Sequence, residues 1–391
     1  MTYADRIAGL KSSAIREILK VTSNPEVISF AGGLPAPELF PLEELAEAAR
    51  RVFAKFESAV LQYSVTEGIG PLREKVARML DPDGDAIGVD NILITQGSQQ
   101  GLDLLSKLFI DKGSVVLTEN PSYLGAIQSF LLFQAEIRPV ASDDEGIIPD
   151  RLSEACSRGG ASLLYAMPNF QNPTGISISR ERRPGLMRIA RKQRIMVIED
   201  DPYGELIFEG ECPPSLLALG GARNVIRLGS FSKTIAPGLR IAYVAADEEI
   251  IHKLAVIKQG TDLQTNTFGQ YLVNEYLENG RHEEHLRLLR KTYGFRRDCM
   301  LEAMQRHFPA SVRWNRPSGG MFLWVRLPEG RDARDLLARC LERKVAFVPG
   351  QEFFPDGSGG NTIRLNYSNA SPGNIELGIR RMGEAMKEMG I

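Results

Sequence analysis

Short, continuous apolar runs alternate with helical stretches along most of this chain as far as Glu248. Six of the runs predict strands, at residues 91–95, 114–119, 161–167, 194–200, 225–230 and 240–246. Their lack of polar alternation is typical of strands that helices cover on both faces. The stretch 97–109 predicts the helix that follows the first of these strands. The pattern therefore indicates an α/β fold built around a largely parallel sheet.

Beyond Glu248 the pattern becomes helical. The segment from His282 to Phe308 predicts one long helix, because apolar residues recur about every 3.6 residues and no proline interrupts it. Three more strand candidates follow, within residues 319–327, 346–350 and 361–368, and they predict a smaller α+β domain. We expect an N-terminal arm at 1–45, with a short helix at Ser13–Lys20, that contributes to the small domain and the active site. We expect the large domain at 46–290 and the small domain at 291–391.

Composition narrows the possible functions. A chain of 391 residues is long for a single core, which agrees with two domains. The net charge of −2 argues against nucleic acid as the main partner. The four cysteines are far apart and form no CxxC pair, which predicts neither disulfides nor a zinc site and fits a reducing compartment. No apolar run reaches the roughly 18 residues of a membrane span, so we expect a cytoplasmic protein without membrane partners.

Charged residues interrupt the apolar pattern where two predicted strands meet. In the stretch RLGSFSKTIAPGLRIAYV, residues 227–244, Lys233 and Arg240 lie between these strands. A buried charge needs a partner or loses its proton. Ser230, Ser232 and Arg240 could hold a phosphate, and the nearby cation and partial burial would lower the pKa of Lys233, as an amine nucleophile requires. A lysine that forms an imine with a phosphate-bearing aldehyde would lose this isolated charge, which predicts pyridoxal 5′-phosphate as the cofactor.

Polar residues follow other predicted strands too, and ligands of open α/β sheets gather at the carboxyl ends of strands. Ser98 and Gln99 open a helix whose N–H groups could hold a phosphate, although this segment taken alone favours an ordinary N-cap for the serine. Asp200 ends a strand and could fix a proton on a ring nitrogen, or it could simply cap the next turn. Tyr203 follows three residues later and could face the same planar ligand as Asp200.

Two further residues admit a structural as well as a functional role. Asn172, in the turn sequence NPTG at 172–175, could donate its amide to a ligand oxygen or serve only the turn. Arg364 interrupts the apolar stretch 361–368, and its planar guanidinium would fit a carboxylate. A structural ion pair would explain Arg364 as well, so the sequence leaves both roles open.

Five segments taken together resemble fold-type I pyridoxal-phosphate aminotransferases of class I and II. They are FAGGLPAPELFP at 30–41, TQGSQQGLDLL at 95–105, NFQNPTG at 169–175, EDDPYGEL at 199–206 and SFSKTIAPGLRIAY at 230–243. The resemblance covers essentially the whole chain, and it is strongest to the 2-aminoadipate and kynurenine aminotransferases. It implies a large domain with a mixed, mostly parallel, seven-stranded sheet flanked by helices, plus a smaller α+β domain. It also implies a homodimer with active sites at the subunit interface.

The resemblance implies a role for each candidate residue. Lys233 would bind the cofactor covalently and carry a proton between the substrate Cα and the cofactor, while Asp200 would keep the pyridine nitrogen protonated. Tyr203 and Asn172 would contact the phenolic oxygen of the cofactor, and Arg364 would bind the substrate α-carboxylate. Tyr123 would lie on the ring face of the cofactor, and Asn172, Gly33 and Arg16 would lie near the substrate. The phosphate would be held by Ser98, Gln99, Ser230, Ser232, Arg240 and Tyr63 of the partner subunit.

The implied function is ping-pong transfer of an amino group from an L-amino acid to a 2-oxo acid such as 2-oxoglutarate. The donor would be of the 2-aminoadipate, glutamate, aromatic or branched-chain type. A lyase, decarboxylase or synthase on the same scaffold would use the same lysine, aspartate and arginine. A regulator carrying this domain would need a DNA-binding module ahead of the arm. We expect no metal site, because His282 and His285 are more typical of an exposed helix face.

Overall fold

The structure of the protein, a computed structural model, describes residues 3–7, 24–81 and 86–391. The predicted helix at Ser13–Lys20, which includes Arg16, lies outside the described residues. The strands are Ile28–Ser29 (β1), Ile92–Thr95 (β2), Val115–Asn120 (β3), Glu136–Asp143 (β4), Gly146–Ile147 (β5), Ala161–Ala166 (β6), Met196–Asp200 (β7), Val225–Ser230 (β8), Ala242–Ala245 (β9), Arg313–Trp314 (β10), Phe322–Arg326 (β11), Val345–Ala346 (β12), Val348–Pro349 (β13) and Thr362–Asn366 (β14).

The α-helices of the described residues cover both faces of the sheet and fill the small domain. They are Leu42–Phe56 (α1), Gly70–Leu80 (α2), Ser98–Phe109 (α3), Leu124–Leu132 (α4), Pro149–Ser157 (α5), Arg182–Gln193 (α6), Leu216–Gly220 (α7), Glu248–Gln259 (α8), Thr267–Glu278 (α9), His282–His307 (α10), Ala333–Glu342 (α11) and Pro372–Glu388 (α12). The long helix α10 agrees with the prediction at its start and ends one residue earlier than predicted. Among these helices, none is both long and apolar enough to cross a bilayer.

Eight strands form the main sheet, in the order β2-β9-β8-β7-β6-β3-β4-β5. The strands from β8 through β7, β6 and β3 to β4 run parallel, whereas β9 is antiparallel to β8 and β2, and β5 is antiparallel to β4. All six strands predicted from apolar runs are present. The sheet has one strand more than the expected seven, because the two-residue β5 pairs with β4 at the edge.

Helices on both sides of the main sheet explain why its strands are apolar without alternation. In β2, Leu93 packs into one hydrophobic cluster and Ile94 into another, and in β7 the neighbours Ile198 and Val197 divide in the same way. Successive side chains of a strand point to opposite faces, so each face needs its own apolar set. Both faces of the sheet are therefore covered, and polar groups collect at its edges and strand ends.

The smaller part of the chain contains an antiparallel sheet in the order β10-β11-β14-β13. Strand β1 pairs with β12, with Ile28 opposite Val345, so the segment after Asn24 joins this smaller part. The backbone of Phe30 continues this contact, because its N–H donates to the carbonyl oxygen of Ala346 at 2.8 Å. This pairing leads residues 31–33 toward the main sheet. The boundaries at 45 and 290 stay predictions.

Candidate active site

A cavity of about 500 Å³ lies where β2, β3, β6, β7 and β8 end and β9 begins. Its walls contain most of the predicted site residues, namely Gly33, Ser98, Gln99, Tyr123, Asn172, Asp200, Tyr203, Ser230, Ser232, Lys233, Arg240 and Arg364. Tyr63 is absent from the cavity lining, and 79% of its surface is exposed. Arg16 lies outside the described residues, so its predicted contact with the substrate side chain stays a prediction.

Lys233 occupies the turn between β8 and β9, and its amine enters the cavity. Its Nζ atom donates a hydrogen bond to the backbone oxygen of Gly33 at 2.7 Å. Burial lowers the pKa of Lys233 to about 8, and the charges of Arg364 and Arg240 add to this effect. The amine is therefore far easier to deprotonate than an exposed lysine, as a nucleophile or a base requires.

Asp200 ends β7 and presents one free carboxylate oxygen. Its Oδ2 atom accepts a hydrogen bond from the Tyr165 hydroxyl at 2.7 Å, whereas Oδ1 is buried without a partner among the described residues. Burial raises the pKa of Asp200 to about 7, and the charge of Asp201 adds to the rise. A buried acceptor without a partner is costly, so this arrangement favours a ligand that brings a proton donor to Oδ1.

Asp201, the next residue, is directed to a different network. It forms an ion pair with Arg227 at 2.8 Å and accepts a hydrogen bond from the Asn169 amide at 2.8 Å. It also caps the following turn, because its Oδ1 accepts from the N–H of Gly204 at 2.8 Å. The capping role that the sequence left open for Asp200 therefore belongs to Asp201.

Arg364 on β14 is buried between two aromatic rings, 4.5 Å from the centroid of Phe322 and 4.9 Å from that of Phe353. It donates to Asn172 Oδ1 at 2.7 Å and to the Ala31 backbone oxygen at 2.5 Å, while its Nε has no partner among residues 3–7, 24–81 and 86–391. Burial lowers its pKa to about 10. Within the described part of the chain no carboxylate pairs with Arg364, so a ligand carboxylate could take that place.

Hydrogen-bond donors converge at the N-terminus of α3. Gly97 precedes this helix with a φ of 83°, and the buried Oγ of Ser98 has no partner among the described residues. The guanidinium of Arg240 lies so close that a Cβ atom on Gly97 would come within 2.1 Å of Arg240 Nη2. Ser230 Oγ accepts from the N–H of Ser232 at 3.1 Å on the adjoining turn. A helix N-terminus, hydroxyls and a guanidinium together suit a phosphate.

Two tyrosines and a glutamine form further walls of the cavity. Tyr203 is buried edge-on to Phe322, with ring centroids 5.8 Å apart, and burial raises its pKa. Burial likewise raises the pKa of Tyr123. Gln99 donates its amide to the Gly125 backbone oxygen at 3.1 Å at the mouth of the cavity. These side chains shape a slot in which a planar ring could lie.

Sequence reasoning missed Tyr165, which contacts Asp200, and several lining residues: Leu124, Gly125, Gln128, Met167, Pro202, Pro237 and Phe353. A signal for Tyr165 was present. It pairs with Ile198 on β7, two residues before Asp200, so strand alternation places Tyr165 and Asp200 on one face. This signal requires the register between two strands, which no single segment contains. Among the described residues, no group of three or more metal-ligating side chains could hold a metal ion.

Comparisons with known proteins give a family match and several similar chains. The model of the family described as aminotransferase class I and II matches residues 25–382. The chain is 46% identical over 381 residues to the 2-aminoadipate transaminase of Thermus thermophilus, covering 97% of this chain and 94% of that relative. It is 40% identical over 392 residues to the aromatic-amino-acid aminotransferase 1 of Thermococcus litoralis, covering 99% and 94% of the two chains.

A solved structure is similar over nearly the whole fold. It is the α-aminoadipate aminotransferase from Thermus thermophilus in complex with N-(5′-phosphopyridoxyl)-L-leucine. The TM-score is 0.93 at 44% sequence identity, and the alignment covers 99% of this chain and 97% of that one.

Proposed function

Since the chain belongs to the class I and II aminotransferase family, whose cofactor is pyridoxal 5′-phosphate, we propose that the cavity residues take the roles that follow. The chain is an aminotransferase of the fold-type I class. The observation that carries the proposed roles is a set of buried polar atoms on residues that line one cavity, Ser98 Oγ, Asp200 Oδ1 and Arg364 Nε, which have no hydrogen-bond partner in the described part of the chain. These atoms complement, in that order, a phosphate, a protonated ring nitrogen and a carboxylate.

The residues of the cavity fit the cofactor. Ser98, Gln99, Ser230, Ser232 and Arg240 would hold its phosphate, Tyr123 would lie on its ring face, and Asn172 and Tyr203 would contact its phenolic oxygen. When bound, the cofactor supplies the electron sink that removal of a Cα proton from an amino acid requires. Asp200 would hold a proton on the ring nitrogen through Oδ1, which keeps that sink effective.

Lys233 would act at the substrate Cα. Its lowered pKa lets the neutral amine accept a proton and return it, which is the requirement for a general acid and base. The carbonyl oxygen of Gly33 holds the amine at 2.7 Å and would release it when substrate enters. Arg364 would bind the α-carboxylate, with Asn172 and the backbone of Ala31 fixing the plane of the guanidinium.

We propose a donor range of 2-aminoadipate, glutamate, aromatic and branched-chain amino acids, with 2-oxoglutarate as an acceptor. The names of the two relatives support acidic and aromatic donors. Arg364 would contact only the group that all amino acids share, so it would not select among them. Selection would fall to side chains at the open end of the cavity and to the predicted contact from Arg16.

The deciding experiment follows the cofactor spectrum after an amino donor is added without an acceptor. An aminotransferase converts its cofactor to the amine form and stops, and a 2-oxo acid then restores the first spectrum. A lyase or decarboxylase would turn over continuously with the donor alone, which would contradict the proposal. Lys233→Ala should show neither change, while Lys192→Ala, on α6 away from the cavity, should behave as the unchanged protein.

We also propose a cytoplasmic homodimer. All four cysteines, at 156, 212, 299 and 340, are free thiols, which fits a reducing compartment. Tyr63 has the exposure expected of a residue that contacts a second subunit, and apolar neighbours around it are exposed as well, including Leu61 at 72% and Val65 at 56%. Sedimentation or light scattering of the purified protein would test the assembly.

A further inference from the structure

Tyr165 has a defined place in the site although it carries no predicted role. It is fully buried in β6, and its ring stands edge-on to Phe130 with centroids 5.7 Å apart. Its hydroxyl donates to Asp200 Oδ2 at 2.7 Å. Since Oδ2 is engaged in this way, Oδ1 is the oxygen left for a ligand. Asp201, the acid that follows directly after β7, is already bound by Arg227 and Asn169.

We propose that Tyr165 is a positioning residue that keeps Asp200 ionised and thereby keeps the shared proton on the ring nitrogen of the cofactor. The inference rests on the proposed function. A hydrogen bond donated to a carboxylate lowers its basicity, whereas burial and the charge of Asp201 raise it. Without the tyrosine hydroxyl, the buried carboxylate would take the proton, and a neutral acid would face a neutral ring. Burial raises the pKa of Tyr165 well above its usual value, so it remains a donor.

The test compares the holoenzymes of the unchanged protein, Tyr165→Phe and Tyr276→Phe, loaded with cofactor labelled with ¹⁵N at the ring. Tyr276 is a fully buried tyrosine whose hydroxyl has no partner among the described residues, so it controls for the loss of a buried hydroxyl. We expect the ring-nitrogen chemical shift to move toward that of neutral pyridine only in Tyr165→Phe. The rate of the amino-donor half-reaction should fall roughly 10- to 100-fold there, as for a lost hydrogen bond to a charged group. The KM for the donor should change little.

A second variant covers the case in which Tyr165→Phe does not fold. Fluorotyrosine at position 165 is a more acidic donor and should keep the ring nitrogen protonated, so its chemical shift should stay at the value of the unchanged protein or move further from that of neutral pyridine. An unmoved chemical shift in folded Tyr165→Phe, or a shift toward neutral pyridine in the fluorotyrosine protein, would overturn the proposal. Failure of the function itself would look different, because the unchanged holoenzyme would then not convert its cofactor when an amino donor is added.

A different observation concerns a second cavity, of about 540 Å³, beside the turn 172–175. Both tryptophans of the chain, Trp314 on β10 and Trp324 on β11, line it, together with Gly175. The amide of Asn315, also in the lining, donates to the backbone oxygen of Thr174 at 2.7 Å. The cavity is therefore bounded by the smaller sheet on one side and by the turn that carries Asn172 on the other.

Two like charges face each other at this cavity. Arg313 and Arg326 are exposed and lie directly opposite each other across β10 and β11, and like charges in this arrangement are destabilising. In the described part of the chain neither guanidinium pairs with a carboxylate, and Asp144, on the cavity wall, also forms no ion pair. Among the described residues, Arg313 donates to backbone oxygens only, of Ala310 and of Val312 at 3.2 Å. One acid against two cations leaves the cavity positive.

We propose that this cavity binds a small anion that carries a planar ring, with the anionic group between Arg313 and Arg326 and the ring against Trp324, whose side chain shares their face of the small sheet. Arginine suits phosphate and carboxylate groups, and aromatic faces suit planar rings. A third arginine in the lining, Arg316, is already engaged by Glu209 at 2.9 Å and Asp298 at 3.2 Å, so it does not contribute a free charge. The two sources of this chemistry are nucleoside phosphates and aromatic carboxylates.

Tryptophan fluorescence tests this directly, because the only two tryptophans line the cavity. The holoenzyme is titrated with adenosine monophosphate and with naphthoate, and with adenosine and inorganic phosphate as partial probes. We expect saturable quenching by at least one ring-bearing anion, with binding roughly tenfold weaker in the Arg313→Gln, Arg326→Gln double variant. Arg339→Gln, an exposed arginine on α11, is the matched control and should bind like the unchanged protein.

Two results would overturn this second proposal. One is the absence of saturable quenching by either ring-bearing anion at millimolar concentration. The other is quenching that the double variant leaves unchanged, which would place the anion elsewhere, for instance at Arg364. If the double substitution itself changes the tryptophan fluorescence, calorimetry on the same samples measures anion binding in place of quenching.

Discussion

At the scale of single residues, the candidate active site joins groups whose charged forms burial disfavours. The pKa of Lys233 is lowered to about 8, that of Arg364 is lowered to about 10 and that of Asp200 is raised to about 7. In all three cases burial is the largest cause. A ligand that brings a phosphate, a cationic ring nitrogen and a carboxylate would reverse this penalty, so cofactor and substrate binding should be coupled to proton exchange.

The pKa of Lys233 predicts how cofactor attachment depends on pH. The amine attacks only when it is neutral, and its pKa of about 8 lies below the usual 10.5. The rate at which the apoenzyme gains the colour of bound cofactor should therefore rise up to about pH 8 and level off above it. In Arg364→Gln the midpoint should move to higher pH, because a neighbouring positive charge is lost. A midpoint near 10.5 in the unchanged protein would contradict the assignment.

Arg364 predicts the cost of losing the carboxylate contact. Arg364→Ala should raise the KM of every amino acid donor roughly 10- to 100-fold, the range for hydrogen bonds to charged groups. The matched control is Arg339→Ala, because Arg339 is an exposed arginine that pairs with Glu342 on its own helix. Amine donors that lack a carboxylate should be affected little in either variant. Steady-state kinetics over a donor panel provides the measurement, and an unchanged KM would exclude Arg364 from the substrate contact.

At the scale of elements, the turn between β2 and α3 brings the phosphate contacts together. Gly97→Ala should weaken cofactor binding, because the new Cβ would lie within 2.1 Å of Arg240 Nη2 and force the guanidinium away. The change should also destabilise the fold by about 1 kcal/mol, because φ is 83°. Gly113→Ala is a close control, since Gly113 has a φ of 84° and no neighbour within 4 Å of an added Cβ.

Cofactor titration and thermal unfolding of both variants separate the two effects. We expect both to lose similar stability and only Gly97→Ala to lose cofactor affinity. Equal cofactor affinity in the two variants would show that the position of Arg240 does not depend on Gly97.

The elements that could be predicted from sequence are those whose pattern is local. Each central strand is a continuous apolar run, and α10 repeats its apolar residues over its whole length. The six strands predicted from apolar runs and the long helix were therefore confirmed. Strand β4 was missed because it lies near the edge of the sheet, contains Pro139 and has only Val140 fully buried. Edge strands tolerate proline and polar residues, so they lack a clear apolar signal.

The site shows the same limit. The sequence brought together Lys233, Asp200 and Arg364 through a resemblance, and the fold places all three around one cavity. The Tyr165 hydrogen bond and the separation of Asp200 from Asp201 depend on the register between strands and on which face each side chain takes. Neither property is contained in one segment, so neither could be predicted without the assembled sheet.

At the scale of the whole molecule, the cavity needs both parts of the chain. The main sheet contributes Lys233, whereas the small sheet contributes Arg364. The segment after β1 links them, because the Gly33 carbonyl accepts from Lys233 and the Ala31 carbonyl accepts from Arg364. A shift of the small sheet against the main sheet would therefore alter the amine and the guanidinium together, which ties substrate binding to the state of the lysine.

The proposed dimer makes a prediction that a mixture of two defective proteins can test. If each site takes its own Lys233 and Tyr63 of the partner subunit, a mixed dimer of Lys233→Ala and Tyr63→Ala contains one site with both defects and one intact site. Random reassociation of equal amounts makes half of the dimers mixed, so about a quarter of all sites should be intact. Activity should then recover to about a quarter of that of the unchanged protein, at cofactor concentrations where Tyr63→Ala alone is nearly inactive.

The same experiment discriminates the alternative arrangement. If Tyr63 served its own subunit, each site of the mixed dimer would carry one defect, and mixing would restore nothing. If the protein were a monomer, mixing would again restore nothing, and light scattering would separate these two cases. In the control mixture, Arg339→Ala takes the place of Tyr63→Ala. Its mixed dimers with Lys233→Ala should retain activity in proportion to the fraction of subunits that still carry Lys233. The exposure of Tyr63, at 79%, favours recovery, since a tyrosine serving its own phosphate site would be expected to lie in the cavity.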